Sequence, residues 1–126
     1  MRFLIDTTLL IDHANGRPSA LAVVRELFSE PNDLFVCDAV VVEALSSGTD
    51  EQIRAMSALI TALEYVSTPP DAARWAGASR RRLGRTSRRH LADAIIAGIA
   101  WHSDAIVVTR NPQDFEAQGV RVLGYA

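Results

Sequence analysis

At 126 residues and 48% hydrophobic content, the chain can bury a core as a single domain, residues 1–126, without disulfides. Its formal net charge of -2 excludes binding of nucleic acid through a large overall basic excess, so such binding requires a local patch. All 13 basic side chains are arginine, and the absence of lysine excludes P-loop phosphate binding and Schiff-base chemistry.

Short apolar segments alternate along the chain with longer segments of helical period, which predicts an α/β domain around a mostly parallel sheet. The first half predicts a strand over 2–5, a helix capped by Thr7 or Thr8, a helix over 19–29, a strand over 34–37 and a helix from about Ala39. The second half predicts a helix over 51–63, a short strand over 65–66, helices over 71–83 and 90–103, and strands over 105–109 and 120–123.

Acidic residues stand where a site in such a fold is expected. Asp6 follows the first strand and Asp114 follows the strand over 105–109, and ligands of open α/β sheets gather beyond the carboxyl ends of strands. Glu43 and Asp93 each interrupt an apolar run, where a carboxylate is costly unless it is paired or bound to a metal.

Three of these acids also have an ordinary structural explanation. Asp6 is compatible with a helix cap, Asp93 with the positive end of a helix, and Glu43 with an exposed edge. A single carboxylate site explains all four acids together, and it needs a cation to offset their mutual repulsion. Because the chain offers oxygen ligands and no histidine or cysteine spacing typical of zinc, the predicted cation is Mg²⁺ or Mn²⁺.

Four segments in this order resemble the motifs of a known family. The first is the opening strand with its acid and threonines (3–11), and the next two are the runs around Glu43 (41–45) and Asp93 (92–97). The last is the closing strand, at whose end lie the sequences Thr-Arg-Asn and Asp-Phe (107–115). The chain thereby resembles the PIN-domain ribonucleases, specifically the virulence-associated (VapC-like) toxins of type II toxin-antitoxin pairs. The resemblance spans nearly the whole chain.

This resemblance implies a PIN-like three-layer α/β/α sandwich and an endoribonuclease that hydrolyses RNA phosphodiester bonds with bound Mg²⁺ or Mn²⁺. It carries the metal-ligand and catalytic role onto Asp6, Glu43, Asp93 and Asp114. It also implies a homodimer and a small antitoxin protein, part of which lies over the acid site.

Three polar residues are predicted to support the acids. Thr8 and Thr109 are placed to hold the carboxylates by hydrogen bonds, although helix capping and a strand-end turn explain them nearly as well. Asn111 stands where some relatives carry an acid, and it is expected to position water or substrate. Asp114 is then the remaining carboxylate near that point.

Six arginines occur between positions 80 and 89, just before Asp93. We favour RNA phosphate binding by this run, with Arg85, Arg88 and Arg89 as the predicted contacts. Stabilisation of a helix C-terminus and contact with an acidic partner remain alternatives.

Two other functions compete with a ribonuclease. A haloacid-dehalogenase phosphatase also places an Asp after its first strand, but it requires an Asp at the position of Thr8 and a lysine that this chain lacks. A catalytically silent PIN-like module that binds RNA or a protein is the alternative from a different class.

The expected location is the cytoplasm. The lone Cys37 lies in an apolar run and reads as a buried thiol, which fits a reducing compartment. The early acid Asp6 does not fit a signal peptide, and no stretch approaches the ~20 apolar residues of a membrane span.

Overall fold

The computed structural model describes all 126 residues, and its elements follow the predicted alternation of strands and helices. The strands are β1 (Arg2–Ile5), β2 (Asp33–Cys37), β3 (Glu64–Val66), β4 (Ile106–Thr109) and β5 (Val122–Gly124). The helices are α1 (Thr7–Ala14), α2 (Pro18–Ser29), α3 (Asp38–Leu45), α4 (Asp50–Thr61), α5 (Pro70–Leu83), α6 (Leu91–Ser103) and α7 (Gln113–Glu116), with a 3₁₀ turn at Arg88–His90.

All five strands form one parallel sheet in the order β3-β2-β1-β4-β5, which confirms the predicted parallel sheet. The central strand β1 places Leu4 between Phe35 of β2 and Val107 of β4. Leu4 and Val107 are fully buried, as expected for strands that helices cover on both faces. The carboxyl ends of all five strands therefore meet at one edge of the sheet.

Two local predictions were wrong, and one short helix was missed. Neither Thr7 nor Thr8 caps α1, because the N-cap position belongs to Asp6 and both threonine hydroxyls donate to carboxylates instead. The last strand begins at Val122 rather than at residue 120, because Gly119, with φ of 82°, turns the chain immediately before it. The short helix α7 was not predicted.

Helices α5 and α6 pack very closely on each other, and α6 carries the most buried face of any helix. Gly98 of α6 faces the backbone carbonyl of Ala72 in α5, so that a β-carbon at position 98 would overlap this oxygen. Ala76 lines the same contact. The small residues of both helices thus permit the close approach of α5 and α6.

The buried core runs through the sheet and includes Phe115 and Cys37. The cysteine is fully buried and free, as predicted. No helix is both long enough and apolar enough to span a membrane.

Candidate active site

Asp6 lies at the carboxyl end of β1 and is buried. Its Oδ2 accepts hydrogen bonds from Thr8 Oγ1 at 3.0 Å and from Thr109 Oγ1 at 2.8 Å. Burial raises the pKa of Asp6 above its usual value, and the hydroxyl hydrogen bonds counteract part of that rise. Two of the predicted supporting residues therefore contact the carboxylate at the centre of the predicted site.

Glu43 lies on α3 and is exposed. Its Oε1 accepts a hydrogen bond from Thr7 Oγ1 at 2.7 Å. The negative charge of Glu43 contributes to the raised pKa of Asp6, so the two carboxylates are near enough to interact. Consecutive threonines at the start of α1 thus hold two different acids.

Asp93 lies in the first turn of α6, and its carboxylate accepts no hydrogen bond from the protein. Burial, together with the charges of Asp6, Asp114 and Glu43, raises the pKa of Asp93 to about 7. Arg85 opposes it. Asp93 is therefore within electrostatic reach of the other three predicted acids, although the four come from separate segments of the chain.

Asp114 lies in α7 with its carboxylate free of hydrogen bonds. Its backbone carbonyl accepts from Arg85 Nη1 at 3.2 Å and from Gln118 Nε2 at 3.1 Å, which fixes the short helix in place. The backbone N–H of Asn111 donates to Thr109 Oγ1 at 3.0 Å, while the Asn111 side chain makes no hydrogen bond. The carboxylates of Asp93 and Asp114 and the side-chain amide of Asn111 are thus free of hydrogen bonds within the protein.

The donor set fits a hard divalent cation in its chemistry. No three Asp, Glu, His or Cys side chains are arranged to hold one ion directly. The carboxylates of Asp93 and Asp114 accept no hydrogen bond that would restrain their rotation. Clustered carboxylates with a raised pKa repel one another, and a cation with oxygen ligands removes that repulsion.

A cleft of about 390 Å³ adjoins Glu43 between α3 and α6. Its wall is partly fixed by Asp38, which accepts hydrogen bonds from the backbone and hydroxyl of Thr68 at 2.9 and 2.7 Å. Burial raises the pKa of Asp38, but these hydrogen bonds outweigh burial and hold it below its usual value. The cleft is lined by Asp38, Ala39, Val42, Glu43, Thr68, Arg88, Leu91, Ala92 and Ile95.

Sequence reasoning missed a polar network beside the acids. Asp12 is buried, and its two oxygens accept from Arg110 Nη1 at 3.0 Å and from the Tyr125 hydroxyl at 2.7 Å. The backbone N–H of Arg110 donates to Thr8 Oγ1, which in turn donates to Asp6. Asp12 interrupts an apolar helical run just as Glu43 does, and that signal was available in the sequence.

The arginine run divides into different environments. Arg80 donates to the carbonyls of Arg85, Thr86 and Ser87, so it holds the loop after α5. Arg85 reaches Asp114, and Arg88 lines the cleft beside Glu43. The exposed Arg89 makes no hydrogen bond through its side chain. The predicted RNA contacts at Arg85, Arg88 and Arg89 stay predictions.

Comparison with known proteins identifies the family. The model of the PIN domain matches residues 3–119. This chain belongs to the PIN domain family. A curated relative, Ribonuclease VapC19 of Mycobacterium tuberculosis, is 32% identical over 114 residues, covering 89% of this chain and 90% of the relative.

Solved PIN structures have the same fold. VapBC2 from Rickettsia felis, bound to a DNA fragment from its promoter, superposes with a TM-score of 0.82 at 17% identity and covers all of both chains. A toxin-antitoxin complex from Klebsiella pneumoniae superposes with a TM-score of 0.70 at 25% identity, covering 89% of this chain and 88% of the other. The expected PIN-like α/β architecture is confirmed.

Proposed function

We propose that this PIN domain, residues 1–126, is a metal-dependent endoribonuclease and the toxin of a toxin-antitoxin pair. The observation that carries the proposal is the environment of Asp93, whose pKa burial raises and the charges of three other acids raise further. Perturbed carboxylates cluster at functional sites, and a divalent cation bound by the four acids would offset their mutual repulsion. The relative named as a ribonuclease supports RNA as the substrate.

Asp6, Glu43, Asp93 and Asp114 are the proposed ligands and catalytic acids. Mg²⁺ or Mn²⁺ bound there would lower the pKa of a coordinated water and neutralise charge on the scissile phosphate.

The supporting residues hold the acids in place. Thr8 and Thr109 fix Asp6 through its Oδ2 and leave the other oxygen free of them. Thr7 orients Glu43. Asn111, whose side chain makes no hydrogen bond, is proposed to orient water or substrate. Hydroxyl donors of this kind keep carboxylates oriented, so less reorganisation accompanies the reaction.

The proposed partners are RNA, a small antitoxin and a second copy of the chain. Arg85, Arg88 and Arg89 are proposed to contact RNA phosphates. We assign the antitoxin to the cleft beside Glu43, because Val42 and Leu91 there are 67% and 45% exposed. The toxin-antitoxin complex of the Klebsiella pneumoniae relative supports this partner class.

Two further assignments belong to the proposal. Exposed Leu21 and Phe28 on α2 are candidates for a homodimer surface. A cytoplasmic location fits the free, buried Cys37.

The test is RNA cleavage by Asp6→Asn and Asp93→Asn proteins. Each change is expected to lower cleavage of total RNA in Mn²⁺ by about a thousandfold or more, or roughly 4 kcal/mol of transition-state stabilisation. The exposed Asp50→Asn is the matched control and should cleave like the parent. EDTA should abolish cleavage by the parent.

Activity of either variant within tenfold of the parent would contradict the site. A parent that binds RNA without cutting it in Mg²⁺ or Mn²⁺ would support the silent module. The match of residues 3–119 to the PIN domain favours a nuclease over a haloacid-dehalogenase phosphatase.

A further inference from the structure

The outer face of α5 carries a basic groove separate from the acid cluster. The groove has a volume of about 640 Å³ and is lined by Arg74, Gly77, Ala78, Arg81 and Arg82. All five residues are exposed. Since positions three, four, seven and eight residues apart share one side of a helix, the three arginines line one groove with a floor of small residues.

These three arginines have no partner in the protein. Their side chains form neither an ion pair nor a hydrogen bond, whereas neighbouring Arg80 donates to three backbone carbonyls. The only acid on α5 is Asp71, against four arginines, and it forms no ion pair. The groove is thus a concentration of unneutralised positive charge.

A structural explanation covers only part of this arrangement. Arginines in the last turn of a helix favour its negative end, which accounts for Arg81 and Arg82. Arg74 lies about 10 Å further back along the helix axis, beyond the reach of that effect. The open floor at Gly77, where a β-carbon would meet nothing within 4 Å, leaves room for a ligand between the arginines.

The groove begins at the end of α5 that adjoins the acid cluster. From this end Arg80 holds the carbonyl of Arg85, and Arg85 in turn contacts the carbonyl of Asp114. Arg82 and Arg81 lie at this end of α5, and Arg74 lies further along the helix. Guanidinium groups bind phosphates by paired hydrogen bonds, and spaced arginines with no acids among them match a repeating phosphate chain.

We propose that the groove of Arg74, Arg81 and Arg82 binds the phosphate backbone of single-stranded RNA beyond the cleavage site. The assignment rests on the proposed ribonuclease function. It makes α5 an extended substrate-binding surface that increases affinity for long RNA without a preference for particular bases.

The experiment measures binding of a fluorescent poly(uridine) oligonucleotide in EDTA over a series of salt concentrations. An Arg74→Gln/Arg81→Gln protein is compared with an Arg25→Gln/Arg54→Gln protein, which removes two exposed arginines from α2 and α4. Loss of two phosphate contacts should reduce the slope of log affinity against log salt by about 1.4 and weaken binding about tenfold at 0.1 M salt. The control double variant should keep the parent slope.

An Arg74→Lys/Arg81→Lys protein should also keep most of the slope, because it retains the charge. If the glutamine double variant does not fold, Arg74→Gln alone is tested, and it should reduce the slope by half as much as the double variant. A folded glutamine variant with the same salt slope as the parent overturns the proposal.

The result is separable from the test of the catalytic site. Cleavage with an unchanged salt slope would overturn the groove and leave the ribonuclease intact. Arginine-dependent binding without cleavage would support the groove and contradict the proposed ribonuclease.

Discussion

At the scale of single residues, the four acids differ in their hydrogen bonds and in their electrostatic environment. Asp6 and Glu43 each accept hydroxyl hydrogen bonds, and for Asp6 these bonds counteract part of the rise in pKa that burial causes. Asp93 has none and lies within reach of three other negative charges. Ionisation of Asp93 therefore opposes folding when no cation is bound.

This difference predicts a pH-dependent effect of Asp93→Asn in EDTA. The folded pKa is about 7 and the ordinary value is 3.8, so between these values the folded state keeps a proton that the unfolded state has lost. The stability contributed by Asp93 therefore falls as pH rises from about 4 to about 7 and stays low above that. Asn cannot ionise, so the variant escapes this loss.

Thermal melts in EDTA at several pH values measure the effect. We expect the variant and parent to melt nearly together at pH 4 and the variant to melt about 5 °C higher at pH 7.5, since about 1 kcal/mol shifts a domain of this size by roughly 3–6 °C. Mn²⁺ should raise the melting temperature of the parent at pH 7.5 much more than that of the variant. A variant that melts well below the parent in EDTA and gains equally from Mn²⁺ would identify Asp93 as a structural helix-end residue.

At the scale of elements, the contact between α5 and α6 positions the site. It packs α6, the helix that carries Asp93, on α5, and Gly98 faces the Ala72 carbonyl within it. Glycine is ordinarily a poor residue inside a helix, where alanine is about 1 kcal/mol better. Its presence here is explained by the closeness of the two backbones.

Gly98→Ala should therefore destabilise the protein in spite of the better helix propensity of alanine. We expect a loss of about 2 kcal/mol or more in the free energy of unfolding, because the new methyl group must push the two helices apart. Gly77→Ala is the matched control in α5, where a β-carbon meets nothing within 4 Å. It should stabilise by about 0.5–1 kcal/mol, and urea unfolding of both variants measures the difference. Equal effects of the two changes would show that the close contact is not limiting.

At the scale of the whole molecule, Asp12 joins three distant parts of the chain. It receives one hydrogen bond from Arg110 after β4 and one from Tyr125 after β5, at sequence separations of 98 and 113 residues. Burial and the bond to Asp12 raise the pKa of Tyr125, so this phenol stays protonated and remains a donor. The network braces the segment that follows β4, next to Thr109 and the acid cluster.

Asp12→Asn should accordingly destabilise the fold by about 2–4 kcal/mol, since one partner of a buried pair is lost and the others are left poorly matched. The control is Asp104→Asn, which breaks the equally short Arg121 pair at 2.9 Å, where the Asp104 side chain is 90% exposed. That change should cost under about 1 kcal/mol. Chemical unfolding of both variants measures the loss in the free energy of unfolding. Similar small losses in the two variants would mean that Asp12 contributes little to the stability of the fold.

The alternation of elements could be predicted from the sequence because it depends on local periodicity. Strand β1 was predicted with its observed bounds, and helices α2, α5 and α6 within a residue or so of theirs. The site also followed from a general rule: parallel strands end at one edge, so the acid at the end of β1 and the acids near β4 and α6 were expected together. Their role as metal ligands stays a prediction.

Only the tertiary structure decided which side chains are hydrogen-bonded to one another. Thr7 contacts Glu43 and Thr8 contacts Asp6, although the two threonines look alike in the sequence. The same holds for the arginines, since Arg80 is bound internally while Arg81 beside it is exposed to solvent. Such contacts join residues up to 113 positions apart and depend on how helices pack on the sheet, and no local pattern in the chain encodes that geometry.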